Sequence, residues 1–213
     1  MGFLLGGPFY HLQGRTGNNV GRVRKGKNVF SMRPAKTNKP ATEAQLNQRI
    51  QFGLMNGWLA NFASFIKLGF QQFDAKMSAM NAAVRYNMEH ALSGVAPLYT
   101  IDYPKVMLSK GQLPVPNSMD VEGGTGQSLD FSWGPTSDTE LAKPGDLAAF
   151  LIFNEDKNRF VVSVGMATRS TQAYALLLPQ DFSGDTVRCY VAFVSADKKL
   201  ASNSTYLGAM PVG

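Results

Sequence analysis

The chain has 213 residues, 44% of them hydrophobic and 17% charged, which excludes a disordered polymer and allows one sizeable core or two small ones. A single cysteine, Cys189, excludes an internal disulfide; no window reaches the roughly 18 apolar residues of a membrane span, and the apolar N-terminus lacks the basic residues of a secretory signal, which points to the cytoplasm or a phage-like particle. The net charge of +6 is concentrated at one end, because residues 1–50 hold nine Lys/Arg against Glu43 alone and the rest of the chain is slightly acidic.

Residues 1–40 carry seven glycines in the first 26 positions and only short apolar alternations, Val20-Gly-Arg-Val23 and Val29-Phe30. Such a segment can lie as strands on another surface but buries no core of its own, and it reads as an extended basic arm. Gly21 to Lys27 matches the spacing G-x-x-x-x-G-K of a phosphate-binding loop. The context fails: no apolar strand precedes it, Asn28 stands where a magnesium ligand belongs, and Pro34 follows where a helix should run.

A helical hairpin is expected over 41–96. Thr42 and Gln45 have capping-box spacing, and Leu46, Ile50, Leu54, Trp58 and Phe62 recur at i+4, continued by Phe65, Ile66, Phe70 and Phe73. Gly53, Gly57 and Gly69 within this stretch imply close backbone contacts or a bend. The second helix is expected from about Ala75 to Leu92, with Met77, Met80, Val84 and Met88 on one face and Gly94 as C-cap.

Beyond Pro97 the period changes from 3.6 to 2. Ser128–Trp133 alternates strictly, Leu147–Phe153 is a continuous apolar run, and Arg159–Val164, Gln172–Leu178, Thr186–Ser195 and Ser204–Met210 follow at short intervals separated by Gly, Asn and Asp. Six or seven short strands with an early Trp and a late Tyr190-x-Ala192-x-Val194 predict an antiparallel β-sandwich of immunoglobulin or fibronectin type III character over 97–213. The expected fold class is therefore α+β: extended N-terminal arm, helical hairpin, β-sandwich.

Catalysis has little support in the residues. His11 and His90 lie in different segments, Cys189 alternates with apolar neighbours as a core residue does, and the acids fall at turns or solvent-facing positions without pairing. No metal or cofactor is expected, since two histidines and one cysteine in separate elements make no ligand cluster.

The pattern Gly14-x-x-Gly17-Asn18-x-Val20-Gly21, then Lys25-Gly26, then Asn38-Lys-Pro40-Ala-Thr42-x-x-Gln45-x-x-x-Arg49-x-x-Phe52, with Tyr99-Thr-Ile-Asp-Tyr103 and Ser109-Lys-Gly111, resembles an uncharacterised bacterial family of domains of unknown function. Arg24 stands where members of that family carry an aromatic residue. A basic arm leading into a T-x-x-Q helix also resembles phage structural proteins. The resemblance implies no activity and no catalytic residues.

The leading expectation is a non-enzymatic structural protein that self-assembles into a filament, shell or virion component. Its arm would add a strand to a neighbouring copy, with Val20, Val23, Val29 and Phe30 as the buried side and Arg15, Arg22, Arg24, Lys25 and Lys27 as polar contacts. The alternative is nucleic-acid binding by the same cations together with Arg33 and Lys36. A third reading, a carbohydrate- or surface-binding module, needs exposed aromatics at Tyr99, Tyr103 and Trp133.

Overall fold

The glycine-rich start of the chain folds back on itself because Gly17 (φ 58°) and Gly26 (φ 73°) take the left-handed backbone that two-residue hairpin loops require. In this computed structural model the described residues are 2–7, 9–24, 26–36, 38–73, 77–136 and 140–213. They fall into two compact units, Met1–Thr42 and Glu43–Gly213. The first is a four-stranded antiparallel sheet of β1 (Gly2–Leu4), β2 (Gly14–Thr16), β3 (Asn19–Arg24) and β4 (Lys27–Met32), in the order β1-β4-β3-β2. The segment read as an extended arm thus pairs its own strands, and only β1 and β2 keep an open edge.

The second unit begins with α1 (Glu43–Ala60), α2 (Ala63–Gly69) and α3 (Ala79–His90). One helix was expected through residue 73. It breaks at residues 61–62 because the Asn61 carboxamide bonds the carbonyls of Gly57 and Trp58 at 3.2 and 3.1 Å, competing with the helical ladder. Gly69 ends α2 against the segment through Ser109, whose Cα would lie 2.8 Å from an added Cβ. The start expected for the second helix, Ala75, lies outside the described residues; α3 is capped by Ser78, which accepts from the Asn81 amide. Its buried face is Ala79, Ala82, Ala83, Val84 and Asn87, with Met80 and Met88 half-buried at the margin. Gly94 is no helix cap: the C-cap of α3 is Ala91, and Gly94 sits in a short hairpin, β5 (Leu92–Val95) and β6 (Leu98–Ile101). A boundary at 96/97 therefore falls inside a hairpin of a single unit.

The remaining strands are β7 (Met119–Gly123), β8 (Ser128–Trp133), β9 (Leu147–Asn154), β10 (Arg159–Thr168), β11 (Ala173–Leu177), β12 (Thr186–Val194) and β13 (Thr205–Pro211). They make a three-stranded sheet, β11-β8-β7, and a four-stranded one, β10-β9-β12-β13, all antiparallel. The chain crosses between the sheets after β8, β10 and β11, which is the sandwich arrangement of immunoglobulin-like and fibronectin type III domains.

The four-stranded sheet is covered on both faces. Phe150, Ile152, Cys189, Val191 and Phe193 point to the three-stranded sheet and meet Leu129, Phe131 and Trp133. Leu151, Phe153, Tyr190, Ala192 and Val194, the alternate residues of the same strands, join Trp58, Leu59, Phe62 and Ile66 of the helical layer. Two-sided burial explains why LAAFLIF and CYVAFV read as unbroken apolar runs, whereas β8, with one face outward, alternates. The helices form a third layer on the sandwich.

Candidate functional site

Residues directly opposed in an antiparallel pair project to the same face, and residues an odd number apart on one strand project to opposite faces. Arg24 pairs with Lys27, Arg22 with Val29 and Val20 with Ser31; Arg15 pairs with Val20, and Phe3 with Val29. Arg15, Arg22, Arg24 and Lys27 consequently share one face with Phe3, and the Lys27 Nζ stands 5.9 Å from the Phe3 ring centroid. No Asp or Glu occurs before Glu43 to offset them.

The four apolar residues expected as one buried side divide between faces. Val20 and Val29 lie on the basic face, while Val23 and Phe30 are on the other, because Val20 and Val23 are three residues apart and Val29 and Phe30 are adjacent. Val29 is buried, whereas Val23 is 42% exposed. Lys25 lies outside the described residues. Arg33 and Lys36 are exposed and follow the sheet, Arg33 donating its amide to the Asn18 carbonyl at 2.8 Å.

The second unit holds a cleft of about 560 Å³ between α1, the β5–β6 hairpin and the turn after β9. Gly53, Gly57, Trp58 and Asn61 form the helical wall; Tyr99, Thr100 and Tyr103 stand opposite. Glu155 and Asn158 close the end on a turn organised by Asn154, which is buried and accepts from the Lys157 amide at 3.0 Å.

Glu155 accepts from Arg188 at 3.0 Å, and the Arg188 guanidinium lies 4.9 Å from the Tyr103 ring centroid. Burial, with the neighbouring Glu155 carboxylate, pushes the Tyr103 hydroxyl up to about 12, so it stays protonated and able to donate at neutral pH. The Tyr206 hydroxyl and then Glu155 hold Arg188 charged, raising its pKa above the ordinary guanidinium value. Trp58, 7% exposed, has a buried indole N–H with no acceptor among the described residues.

Trp133 does not join this cleft. It is buried between the sheets, donating to the Arg169 carbonyl at 2.8 Å, so it offers no exposed platform for a sugar. Arg169 is itself buried, bonded to Asp146, Thr136 and the Pro114 carbonyl, and ties four segments together at one end of the sandwich. Burial pushes the Cys189 thiol up to about 12, which leaves no thiolate at neutral pH. His90 stacks on Tyr86 with ring centroids 4.2 Å apart, at the C-terminal end of α3. No group of three or more His, Cys, Asp or Glu is placed to hold a metal ion among the described residues.

Tyr99 and Tyr103 were legible as aromatics near one site; Asn61, Glu155 and Asn158 were not, since they come from elements far apart in sequence. The available signal was the pair of glycines four apart on one helix, Gly53 and Gly57.

No helix among the described residues is long and apolar enough to cross a membrane. No curated protein matches the chain. Among solved structures it is similar to the solution structure of a human FNIII domain, the fourth of its protein, at 19% identity and a TM-score of 0.32, covering 57% of this chain and 91% of that one. The family described as "Family of unknown function (DUF6266)" matches residues 11–208, nearly the whole chain. By that match the chain belongs to the DUF6266 family of unknown function.

Proposed function

We propose that this is a non-enzymatic structural protein that assembles with other copies of itself through its N-terminal sheet, as a component of a filament, shell or virion. The observation that carries the reading is the exposure of apolar side chains on a unit too small to bury them: Leu5 is 95% exposed, Met32 75% and Phe3 60%. A unit of about 40 residues without disulfide or metal rarely sustains itself and gains most by covering such side chains on a neighbour. Because β3 and β4 are already paired on both sides, strand addition would use β1 or β2. Analytical ultracentrifugation of the full chain and of a chain lacking residues 1–42 tests it. The full chain is expected to sediment as an oligomer and the truncated chain as a monomer; equal association states for both would end the proposal.

A second reading, nucleic-acid binding, is favoured by the shared face of Arg15, Arg22, Arg24 and Lys27. Four phosphate contacts on a single strand give a log-log salt slope of about −3. Fluorescence anisotropy with a labelled oligonucleotide, for the full chain and for R22E/R24E, measures that slope. Binding that ignores salt, or survives the double substitution, excludes this face as the contact.

A further inference from the structure

We infer that the cleft between α1 and the β5–β6 hairpin binds a neutral oligosaccharide. Its volume of about 560 Å³ lies within the range of small-molecule sites. The chemistry of its walls selects the ligand class. Among the described residues no lysine or arginine lines it, which disfavours an anion, and the carboxylate of Glu155 already has its charge met by Arg188. What remains is a mixture of aromatic surface and neutral hydrogen-bonding groups: Tyr99 and Tyr103 on one side, the Asn61 and Asn158 carboxamides and the Thr100 hydroxyl beside them. Sugars combine apolar C–H faces with a rim of hydroxyls that both donate and accept, and this lining complements both.

The helical wall supports occupation from outside the chain. Gly53 and Gly57 sit one turn apart on α1, and a Cβ at either would meet no atom within 4 Å. Among the described residues no contact calls for glycine there, although each weakens the helix. Bare backbone at both positions keeps the wall flat and lets a ring approach the helix axis. Independently, the Trp58 ring lines the same wall, and its buried indole N–H has no acceptor among the described residues. Asn61 spends its Nδ2 on the Gly57 and Trp58 carbonyls, leaving its carbonyl oxygen with capacity to accept from a hydroxyl. The lining draws only on Glu43–Gly213, whereas the assembly proposed above rests on residues of Met1–Thr42.

The test titrates the full chain with neutral trisaccharides (maltotriose, cellotriose, chitotriose) and with trigalacturonate as the acidic control, by calorimetry and by tryptophan fluorescence. The chain has two tryptophans, so W133F leaves Trp58 as the sole reporter; calorimetry on the unmodified chain stands in if that variant folds poorly. At least one neutral trisaccharide is expected to bind and to change the Trp58 emission. Gly57→Leu, whose Cβ would enter open space at the wall, and Tyr99→Ala are each expected to weaken binding by about tenfold or more, with the Gly57→Leu melting temperature unchanged or raised. Failure of all three neutral sugars, binding of trigalacturonate alone, or binding that Gly57→Leu leaves intact would each overturn the inference.

Discussion

Three glycines in the helical layer have opposite surroundings, and the contrast gives a prediction with two signs. At Gly53 and Gly57 an added methyl group enters open space, so alanine improves helix propensity at no steric cost. Each substitution is expected to raise stability by about 0.5–1 kcal/mol in urea unfolding. At Gly69 the same methyl group would lie 2.8 Å from the Ser109 Cα and 2.9 Å from the Leu108 carbonyl oxygen, both backbone atoms that cannot swing aside. Gly69→Ala is expected to cost about 1–3 kcal/mol through overpacking. Stabilisation at all three positions would mean that the segment through Ser109 does not press on α2. The buried Arg169–Asp146 pair belongs to the same scale: Arg169→Met leaves the Asp146 carboxylate, 1% exposed, without its partner, and is expected to destabilise by about 3–5 kcal/mol.

Among the elements, α1 is unevenly anchored. Its buried residues are Met55, Trp58 and Leu59, all in the C-terminal half, while Leu46, Ile50 and Phe52 are 40–49% exposed. Amide exchange in the full chain is expected to be faster over 47–52 than over 55–60, because opening the first turns exposes little additional apolar surface. Uniform protection along the helix would show instead that the first turns are covered by a second copy. The same element shows why sequence periodicity read correctly yet incompletely. The i+4 stripe identifies a helix, but it runs on through Phe62, and nothing in the pattern announces the Asn61 side chain turning back onto the carbonyls of Gly57 and Trp58. Strands β8, β9 and β12 were legible from alternation or continuous apolar runs. Strand β7 was not, because Val121 is its one buried residue, and the β5–β6 hairpin was not, because each of its strands has four residues and none of them is buried.

At the scale of the whole molecule, the N-terminal sheet was hidden because its pairing rests on turns at Gly17 and Gly26 and on very few buried side chains. The fusion of helices and sandwich into one unit was hidden because sequence pattern does not say which surface an amphipathic stripe covers. Both features decide how the molecule should come apart. Residues 1–42 hold eight of the 21 Lys/Arg and none of the 15 Asp/Glu, leaving thirteen bases against fifteen acids in residues 43–213. The full chain at +6 is therefore two parts of opposite sign, about +8 and −2.

Glu43–Gly213 has both hydrophobic cores to itself, one between the sheets and one under the helices, and a domain of this length buries about two-thirds or more of its unfolded surface. Expressed alone, it is expected to give a cooperative thermal transition and the near-ultraviolet circular dichroism of packed aromatics. At pH 8 it should bind an anion exchanger, whereas the full chain binds a cation exchanger. A fragment that folds and reverses its exchanger preference would show that the basic sheet is an independent attachment on a self-sufficient domain. A fragment that fails to melt cooperatively would show that the sheet completes the fold, and the truncated chain would then be unfit to test assembly. The full chain carrying Leu5→Ser and Met32→Ser would carry that test instead, since those two side chains are 95% and 75% exposed.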